Sequence, residues 1–219
     1  MAELSCETVS AASLTEAVSA LLRGGLCIIP TDTVYGIAAD VRCDAAVEEI
    51  YAAKGKGTVA PLQLLFSPDL SRLAAFAELT AAAGTLLAEL GPGGWTMIGP
   101  AAGGWQSPAL AGGATLGVRI PASTSVHALV ELLDAPLVAS SANRHGSPSP
   151  ATCGAAIEEV GQACAYALDG GLIPDALDST VVDLAGDVPR ILREGAIDRE
   201  TIARILGMPT INVLRSVRP

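Results

Sequence analysis

The sequence predicts one α/β domain built on a mixed parallel and antiparallel sheet. Its 219 residues fit one ordinary domain, with room at most for a small appendage. Short apolar runs alternate with capped helical segments in the first half, whereas two strand patterns follow one another directly near the end. Half of the residues are hydrophobic but only 3% are aromatic, so the core must consist of Ala, Val, Leu and Ile.

The first elements are bounded by helix caps and by residues that break helices. Ser13, with a glutamate three residues later, has the spacing of a capping box and predicts a helix over 13–23. The apolar residues 26–29 predict a short buried strand. Asp44 is the expected N-cap of a second helix, which runs to Lys54. The further predicted elements are, in order, a strand at 62–66, one or two helices within 70–90 broken near Thr80, a strand at 116–120, a helix at 124–133, a strand at 136–139, a helix at 152–160, a strand at 164–168, strands at 179–184 and 189–193, and a helix at 198–206.

The net charge excludes a general basic coat for nucleic acid. The chain carries 13 Lys and Arg against 23 Asp and Glu, which gives −10 at pH 7. Binding to a phosphate backbone needs clustered cations, so any site for a polyanion must be a local pocket.

The N-terminal residues, the uncharged segment and the cysteines indicate the cellular compartment of the protein. The first residues have neither the basic segment nor the apolar run of a secretory signal. The uncharged segment 90–118 is interrupted by prolines and glycines, and is expected to form strands and loops rather than a membrane span. Five cysteines without a C-x-x-C pair indicate free thiols in a reducing compartment. A cytoplasmic location is therefore expected.

The common catalytic signatures are absent from the sequence. It contains no G-x-x-x-x-G-K-[ST], no G-x-G-x-x-G after a strand and no G-x-S-x-G. The two histidines, His127 and His145, are too far apart to indicate a local metal pair, so no metal site is predicted.

Two polar segments in the first half are candidates for a ligand site. Thr31, Asp32 and Thr33 follow a buried strand, where α/β sheets commonly bind ligands, although such hydroxyls also satisfy turns. The only two lysines, Lys54 and Lys56, lie on either side of Gly55 at a helix end. They indicate a phosphate site, or else a favourable charge at a helix C-terminus.

Further polar segments follow or enter later strands. Ser141 and Asn143 follow a buried strand, Ser179 enters another, and Arg119 ends an apolar strand. Ser141 and Asn143 could simply form a turn in which their side chains hydrogen-bond to the local backbone. An arginine at the end of an apolar strand, in contrast, usually has a carboxylate or phosphate partner. Arg193 is a further candidate. Together these segments indicate a cleft for an anionic ligand with hydroxyl groups.

In this order, the segments resemble the YrdC-like threonylcarbamoyl-adenylate synthases over about residues 12–197. The motifs that carry the resemblance are Pro-Thr-Asp-Thr-Val-Tyr-Gly at 30–36, Lys-Gly-Lys at 54–56, Pro-Leu at 61–62, Val-Arg-Ile-Pro at 118–121, Ser-Ala-Asn at 141–143, Ser-Thr-Val-Val-Asp at 179–183 and Arg-Glu-Gly-Ala at 193–196. The resemblance implies a YrdC-like catalytic domain over 8–207 on one twisted sheet, with a C-terminal tail at 208–219. It also implies a nucleotidyltransferase that condenses L-threonine, bicarbonate and ATP to threonylcarbamoyl-adenylate and pyrophosphate.

The resemblance also implies roles for particular residues. ATP is expected to contact Lys54, Lys56, Thr115, Ser141, Asn143, Ser149 and Arg193. Threonine is expected to contact Thr31, Thr33, Arg119, Ala139 and Ser179. The expected catalytic residues are Lys54, Lys56, Ser141 and Asn143. Mg²⁺ is expected to arrive with the nucleotide. The expected partners are a downstream threonylcarbamoyl transferase complex and a weakly bound tRNA, with no membrane.

The chain departs from the family pattern at several positions, among them the Pro-Gly-Gly-Trp-Thr segment at 92–96 and Ser140, which stands where the family usually has proline. Lys56 stands where the family has an arginine, and an ammonium cannot form a bidentate fork. Leu65 lies near a place where the family often has histidine or another polar residue. Two alternatives stay open: a nucleotide- or RNA-binding module without catalysis, and a relative that makes a different carbamoyl-adenylate.

Overall fold

The structure, a computed structural model, describes residues 4–55 and 60–213. Within these ranges eleven strands form one mixed sheet, which confirms the predicted fold class. The strands are β1 Glu7–Thr8, β2 Leu26–Pro30, β3 Tyr35–Asp40, β4 Gln63–Leu65, β5 Trp95–Pro100, β6 Thr115–Arg119, β7 Leu137–Ser141, β8 Cys164–Asp169, β9 Thr180–Asp183, β10 Arg190–Arg193 and β11 Asn212–Val213. The α-helices are α1 Ala11–Leu22, α2 Asp44–Lys54, α3 Ala81–Leu90, α4 Thr124–Leu133, α5 Cys153–Val160 and α6 Arg199–Ile205.

The strand order across the sheet is β1-β8-β2-β3-β7-β4-β6-β5-β9-β10-β11. Parallel neighbours are β1 with β8, β8 with β2, β4 with β6, β5 with β9, and β10 with β11. The other neighbours are antiparallel. The central strand β4 therefore has one antiparallel neighbour, β7, and one parallel neighbour, β6.

The two predicted helix starts in the first half were wrong in detail. The N-cap of α1 is Ser10, whose Oγ accepts from the Ser13 backbone N–H at 3.1 Å, while Ser13 Oγ accepts from the Ser10 N–H at 2.8 Å. Ser13 is thus the inner partner of a capping box, because its hydroxyl takes the place of the usual glutamate. The N-cap of α2 is Cys43, without a side-chain hydrogen bond. Asp44 is the first helical residue, where its charge favours the helix dipole.

Two of the central strands were missed or left without bounds. All six residues of β3 are buried, but its start lies inside the polar segment that was interpreted as a ligand loop. Strand β5 lies in the segment rich in glycine and proline. The predicted break near Thr80 is confirmed, because its Oγ1 accepts from the Ala83 N–H and caps α3.

The core is aliphatic, as the composition predicts. Ile28, Ile37, Leu64, Leu116 and Val138, on five neighbouring strands, are fully buried. Burial of each such side chain stabilises the fold by roughly 1.5–3 kcal/mol relative to exposure.

The ends of the described chain pack against the domain. In the segment predicted as a tail, β11 pairs in parallel with β10, and Ile211 is buried.

All five cysteines are free. No helix in the described ranges has both the length and the apolar character needed to cross a membrane.

Three cross-strand pairs place a row of residues across the middle of the sheet. Gln63 on β4 lies opposite Ala139 on β7 and Gly117 on β6, and Gly117 lies opposite Ile98 on β5. Side chains alternate between the two faces of a strand, so residues two positions from this row share its face. This face carries the candidate site.

Candidate active site

A cavity of about 170 Å³ lies over the row that joins Ala139, Gln63 and Gly117. It brings together six residues that the sequence singled out from five separate segments. These are Thr33, Arg119, Ala139, Ser141, Ser179 and Arg193. Their proposed roles stay predictions, but their convergence on one cavity is a property of the fold.

The strand register separates two sides of the cavity. Ser141 is two residues beyond Ala139 on β7, and Thr115 is two residues before Gly117 on β6. Because β7 is antiparallel and β6 parallel to the strand between them, both residues lie on the same side of the row. Arg119 lies on the opposite side. Thr115 is half-buried and is not one of the described residues that line the cavity.

Arg119 forms a buried cationic wall of the cavity. Its side chain is 3% exposed, and its Nη2 donates to Asp32 Oδ1 at 2.6 Å. Its Nε donates to the Gly93 carbonyl at 3.1 Å. Burial lowers the pKa of Arg119, while the neighbouring Asp32 carboxylate opposes this shift. A guanidinium has five N–H groups, so further donors are available for an anionic ligand.

Thr31 and Thr33 have different positions in the same turn. Thr31 Oγ1 donates to the Val34 carbonyl at 2.6 Å and accepts from the backbone N–H groups of Thr33 and Val34, both at 3.2 Å. The proton and both lone pairs of Thr31 Oγ1 are thereby used within the turn, and Thr33 Oγ1 lies 3.1 Å from it. Thr31 supports the turn, and Thr33 lines the cavity.

Lys54 ties the end of α2 to the loop after β7. Its Nζ donates to the carbonyls of Ser141 at 2.6 Å and Asn143 at 2.9 Å, and lies 3.5 Å from Ser141 Oγ. Burial lowers the pKa of Lys54 to about 8, while Asp178 and Glu159 act in the opposite direction. Lys54 therefore places a titratable ammonium group beside Ser141. The other predicted lysine, Lys56, lies outside the described residues.

Asn143 has a buried acceptor that no described residue satisfies. Its Nδ2 donates to the carbonyls of Arg144 at 3.1 Å and Ser147 at 2.6 Å. Its Oδ1 is buried and has no hydrogen-bond partner among residues 4–55 and 60–213. An unpaired buried acceptor destabilises a fold by about 1–3 kcal/mol. Such an atom is suited to a ligand that brings a donor.

Arg193 links two further residues of the cavity. Its Nε and Nη2 donate to the Ser179 carbonyl at 3.1 and 2.9 Å. Its Nη1 lies 3.4 Å from Asp178 Oδ2, and Ser149 Oγ donates to Asp178 Oδ1 at 2.9 Å. Ser149 thus reaches the site through the carboxylate of Asp178. Asp178 was not predicted as a site residue from the sequence.

A fully buried threonine holds the turn that follows Arg193. Thr180 Oγ1 accepts from the backbone N–H groups of Gly195 at 2.9 Å and Ile197 at 3.0 Å. A Cβ added at Gly195 would lie 2.1 Å from the Asp178 carbonyl, so only glycine fits there. The Arg-Glu-Gly-Ala motif therefore packs closely against residues 178–180, and this packing holds Arg193 at the cavity.

Two further polar residues of the cavity, Gln63 and Thr96, were not predicted as site residues from the sequence. Thr96 Oγ1 donates to Gln63 Oε1 at 2.9 Å and lies 2.9 Å from Ser179 Oγ. Both Thr96 and Gln63 line the cavity. Neither has a local signal in the sequence, because each lies on a short apolar strand and only the register of the sheet brings them together.

The cavity combines cationic groups with hydroxyl groups and unused acceptors. Arg119 and Arg193 line it, and Lys54 borders it through Ser141. No group of three or more His, Cys, Asp or Glu side chains that could hold a metal occurs in the described ranges. A nucleotide would bring its own phosphate oxygens as donors for a divalent ion. The arrangement can bind and orient a polyanion together with a small molecule that bears a carboxylate.

Residues 19–195 match the model of the Sua5/YciO/YrdC family, which carries the description "Telomere recombination". Two curated proteins similar to the chain are threonylcarbamoyl-AMP synthases. The protein of Bacillus subtilis is 33% identical, over 89% of this chain and 56% of its own length. The protein of Chromohalobacter salexigens is 36% identical, over 78% of this chain and 92% of its own length.

Solved structures show the same architecture. Sua5 of Pyrococcus abyssi in complex with L-threonine superposes with a TM-score of 0.87 at 30% identity, covering 95% of this chain and 61% of that protein. The chain thus spans a little over half the length of the Bacillus and Pyrococcus proteins. Escherichia coli YciO superposes with a TM-score of 0.81 at 23% identity, covering 90% of this chain and all of that chain, and shows the fold alone.

Proposed function

The chain belongs to the Sua5/YciO/YrdC family, and we propose that it synthesises L-threonylcarbamoyl-adenylate from L-threonine, bicarbonate and ATP. Pyrophosphate is the second product, which makes the enzyme a nucleotidyltransferase. The observation that carries the proposal is the convergence of Arg119, Arg193 and Lys54 around one cavity lined with hydroxyl groups. An amino acid and a nucleotide are ligands of complementary charge for these groups.

L-Threonine binds on the Arg119 side of the row. The remaining guanidinium donors of Arg119 bind the carboxylate of the amino acid, because a charged pair inside a protein is stronger than one in water. Thr33 and Ser179 supply polar contacts nearby, and the Ala139 backbone closes the floor. Thr31 contributes by holding Thr33 in place.

ATP binds on the Ser141 side. Ser141 and Thr115 lie on that side of the row, and Lys54 is bonded to the Ser141 carbonyl. The phosphate groups of ATP lie between Lys54 and Arg193, whose charges offset those of the phosphate oxygens. The unpaired Oδ1 of Asn143 accepts a donor from the nucleotide.

Ser149 and Lys56 complete the proposed nucleotide contacts. Ser149 is bonded to Asp178 at the cavity wall. Lys56 is proposed from the sequence alone. Mg²⁺, held by phosphate oxygens, supplies further charge neutralisation to the triphosphate.

The reaction consists of an addition followed by a displacement. Bicarbonate releases hydroxide as CO₂ forms, and the neutral amine of threonine attacks the carbon of CO₂. An N–C bond forms while a C–O π bond breaks, and the proton lost from the nitrogen combines with the hydroxide to give water. A carbamate oxygen then attacks the α-phosphorus of ATP, and the bond to the β-phosphate oxygen breaks, with its electron pair leaving on pyrophosphate. The protein positions both reactants and offsets phosphate charge through Lys54 and Arg193, and no covalent enzyme intermediate forms.

The product is an activated intermediate for a second protein. A threonylcarbamoyl transferase complex would move the threonylcarbamoyl group to the adenosine beside the tRNA anticodon. The net charge of −10 opposes extended contact with tRNA, so any contact of this chain with tRNA is weak and local.

Incorporation of labelled bicarbonate tests the proposal. The protein is incubated with ATP, Mg²⁺, L-threonine and ¹³C-bicarbonate. The products are then separated, and their masses are measured by mass spectrometry. The proposal predicts an adenylate that carries both threonine and ¹³C, and its loss when any one substrate is omitted. A labelled adenylate with another amino acid but not with threonine would support a different carbamoyl-adenylate, and nucleotide binding without product would support a binding module.

A further inference from the structure

The Gln63 side chain spans the strand beside it at the one place where that strand has no side chain. Gln63 on β4 lies opposite Gly117 on β6, yet its Oε1 is bonded to Thr96 on β5, the next strand beyond. A Cβ added at Gly117 would lie 2.9 Å from Gln63 Cβ and 3.2 Å from Thr96 Cγ2. Because Gly117 has no side chain, the Gln63 amide has room to cross β6 and reach Thr96. We call this surface, formed by Gln63, Thr96, Gly117 and Ser179, the floor of the cavity.

The hydrogen bonds of this group fix the direction of the Ser179 hydroxyl. Thr96 has one hydroxyl proton, and it is donated to Gln63 Oε1 at 2.9 Å. The 2.9 Å contact between Thr96 and Ser179 must then be donated by Ser179 Oγ. Ser179 Oγ also accepts from Arg193 Nη2 at 3.2 Å. It keeps one lone pair and has no proton left for a ligand.

The Gln63 amide has the opposite character at the same floor. Its Nε2 carries two N–H groups, and none of the described residues accepts a hydrogen bond from them. Gln63 and Ser179 both line the cavity. The floor thus presents a free donor and a free acceptor that are coupled through one threonine hydroxyl.

We propose that Gln63 and Ser179 together recognise the β-hydroxyl of the amino-acid substrate, and that Gln63 is a specificity-determining residue. A hydroxyl group has one proton and two lone pairs, so it can donate to Ser179 Oγ while accepting from Gln63 Nε2. An amino acid without a β-hydroxyl leaves both groups buried and unpaired. The inference rests on the proposed function, because it takes threonine as the amino acid.

Equilibrium binding of two amino acids tests the assignment without requiring turnover. Calorimetry measures the Kd of L-threonine and of L-2-aminobutyrate, which lacks only the hydroxyl, with and without a non-hydrolysable ATP analogue. The variants are Gln63→Glu, which keeps the acceptor for Thr96 but replaces the Nε2 donor by an oxygen, and Gln63→Leu, which removes both. Gln106→Glu, at an exposed glutamine outside the cavity, is the matched control.

The wild type and Gln106→Glu should prefer L-threonine by about tenfold or more, and both Gln63 variants should lose most of that preference. The added charge of Gln63→Glu repels the carboxylates of both amino acids alike, so the ratio of the two Kd values isolates the hydroxyl. An unchanged ratio in both Gln63 variants, or a wild type that does not prefer threonine, would overturn the inference. A threonine preference that depends on Gln63 in a protein that makes no adenylate would instead overturn the proposed function alone.

Discussion

The ammonium of Lys54 donates a hydrogen bond to the backbone carbonyl of Ser141 at 2.6 Å, joining the end of α2 to the end of β7. Burial of this ammonium lowers its pKa from 10.5 to about 8. The positive charge of Lys54, which we assign to the phosphate site, is therefore lost as the pH rises through about 8.

The Michaelis constant for ATP should rise as the pH increases through about 8. Lys54 is protonated below its lowered pKa and neutral above it, so the attraction for phosphate falls on the alkaline side. Lys54→Arg should flatten this dependence, because a guanidinium stays charged throughout the range. Steady-state kinetics from pH 6.5 to 9.5 measures both; an ATP constant that is independent of pH in the wild type would contradict the assignment.

Two arginine–aspartate pairs of equal length should respond differently to the same substitution. Arg119 and Arg42 each lie 2.6 Å from a carboxylate, but their side chains are 3% and 50% exposed. Arg119→Lys should lower the free energy of unfolding by about 1.5–3 kcal/mol and weaken threonine binding about tenfold. Arg42→Lys should change stability by less than about 1 kcal/mol. Urea unfolding and calorimetry measure these effects, and equal responses would show that Arg119 has no special position.

Strand β10 provides a matched pair for the phosphate contact. Arg190 and Arg193 have side chains that are both 46% exposed, and each pairs with one aspartate, but only Arg193 lines the cavity. Arg193→Ala should lower kcat/KM for ATP about tenfold to a hundredfold, whereas Arg190→Ala should stay within about twofold of wild type. Thermal melts establish that both variants are folded. Similar losses of activity in the two would indicate an effect of surface charge rather than a contact.

Two glycine-to-alanine substitutions should have opposite effects on stability. A Cβ at Gly117 would lie 2.9 Å from Gln63 Cβ, whereas one at Gly84 in α3 would meet nothing within 4 Å. Gly117→Ala should destabilise the protein by about 1–3 kcal/mol and weaken threonine binding, because Gln63 must move. Gly84→Ala should stabilise it by about 0.5–1 kcal/mol, since alanine favours a helix. Chemical unfolding of both variants decides the sign; a stabilising Gly117→Ala would show that the floor has room to spare.

The sequence predicted most elements of the fold, because caps and apolar runs are local signals. The break near Thr80 and the helix Thr124–Leu133 were found in this way. Strand β3 was missed because its first residues belong to a motif with a strong turn interpretation. At the start of α1, Ser10 rather than Ser13 is the cap, since a serine can replace glutamate in the capping box.

Six residues that line the cavity were singled out from the sequence, but their arrangement was not predictable from it. Arg119 and Ser141 each lie at the end of an apolar strand, but β6 and β7 run in opposite directions, so the two residues lie on opposite sides of the row. Both line the same cavity on one face of the sheet. Gln63 was missed because its position in the site depends on Gly117 and Thr96. These residues lie 54 and 33 positions away in the chain, and only the strand register brings them close to Gln63. The expected role of Lys56 stays a prediction from the sequence.

Pyrophosphate release from ATP tests the central claim most directly. The rate is measured with L-threonine and bicarbonate together, with each alone, and with neither, under CO₂-free conditions where bicarbonate is omitted. The account predicts release that requires both substrates and is reduced when L-2-aminobutyrate replaces L-threonine. Release at the same rate without threonine, or no release from a folded protein that binds ATP and threonine, would contradict it.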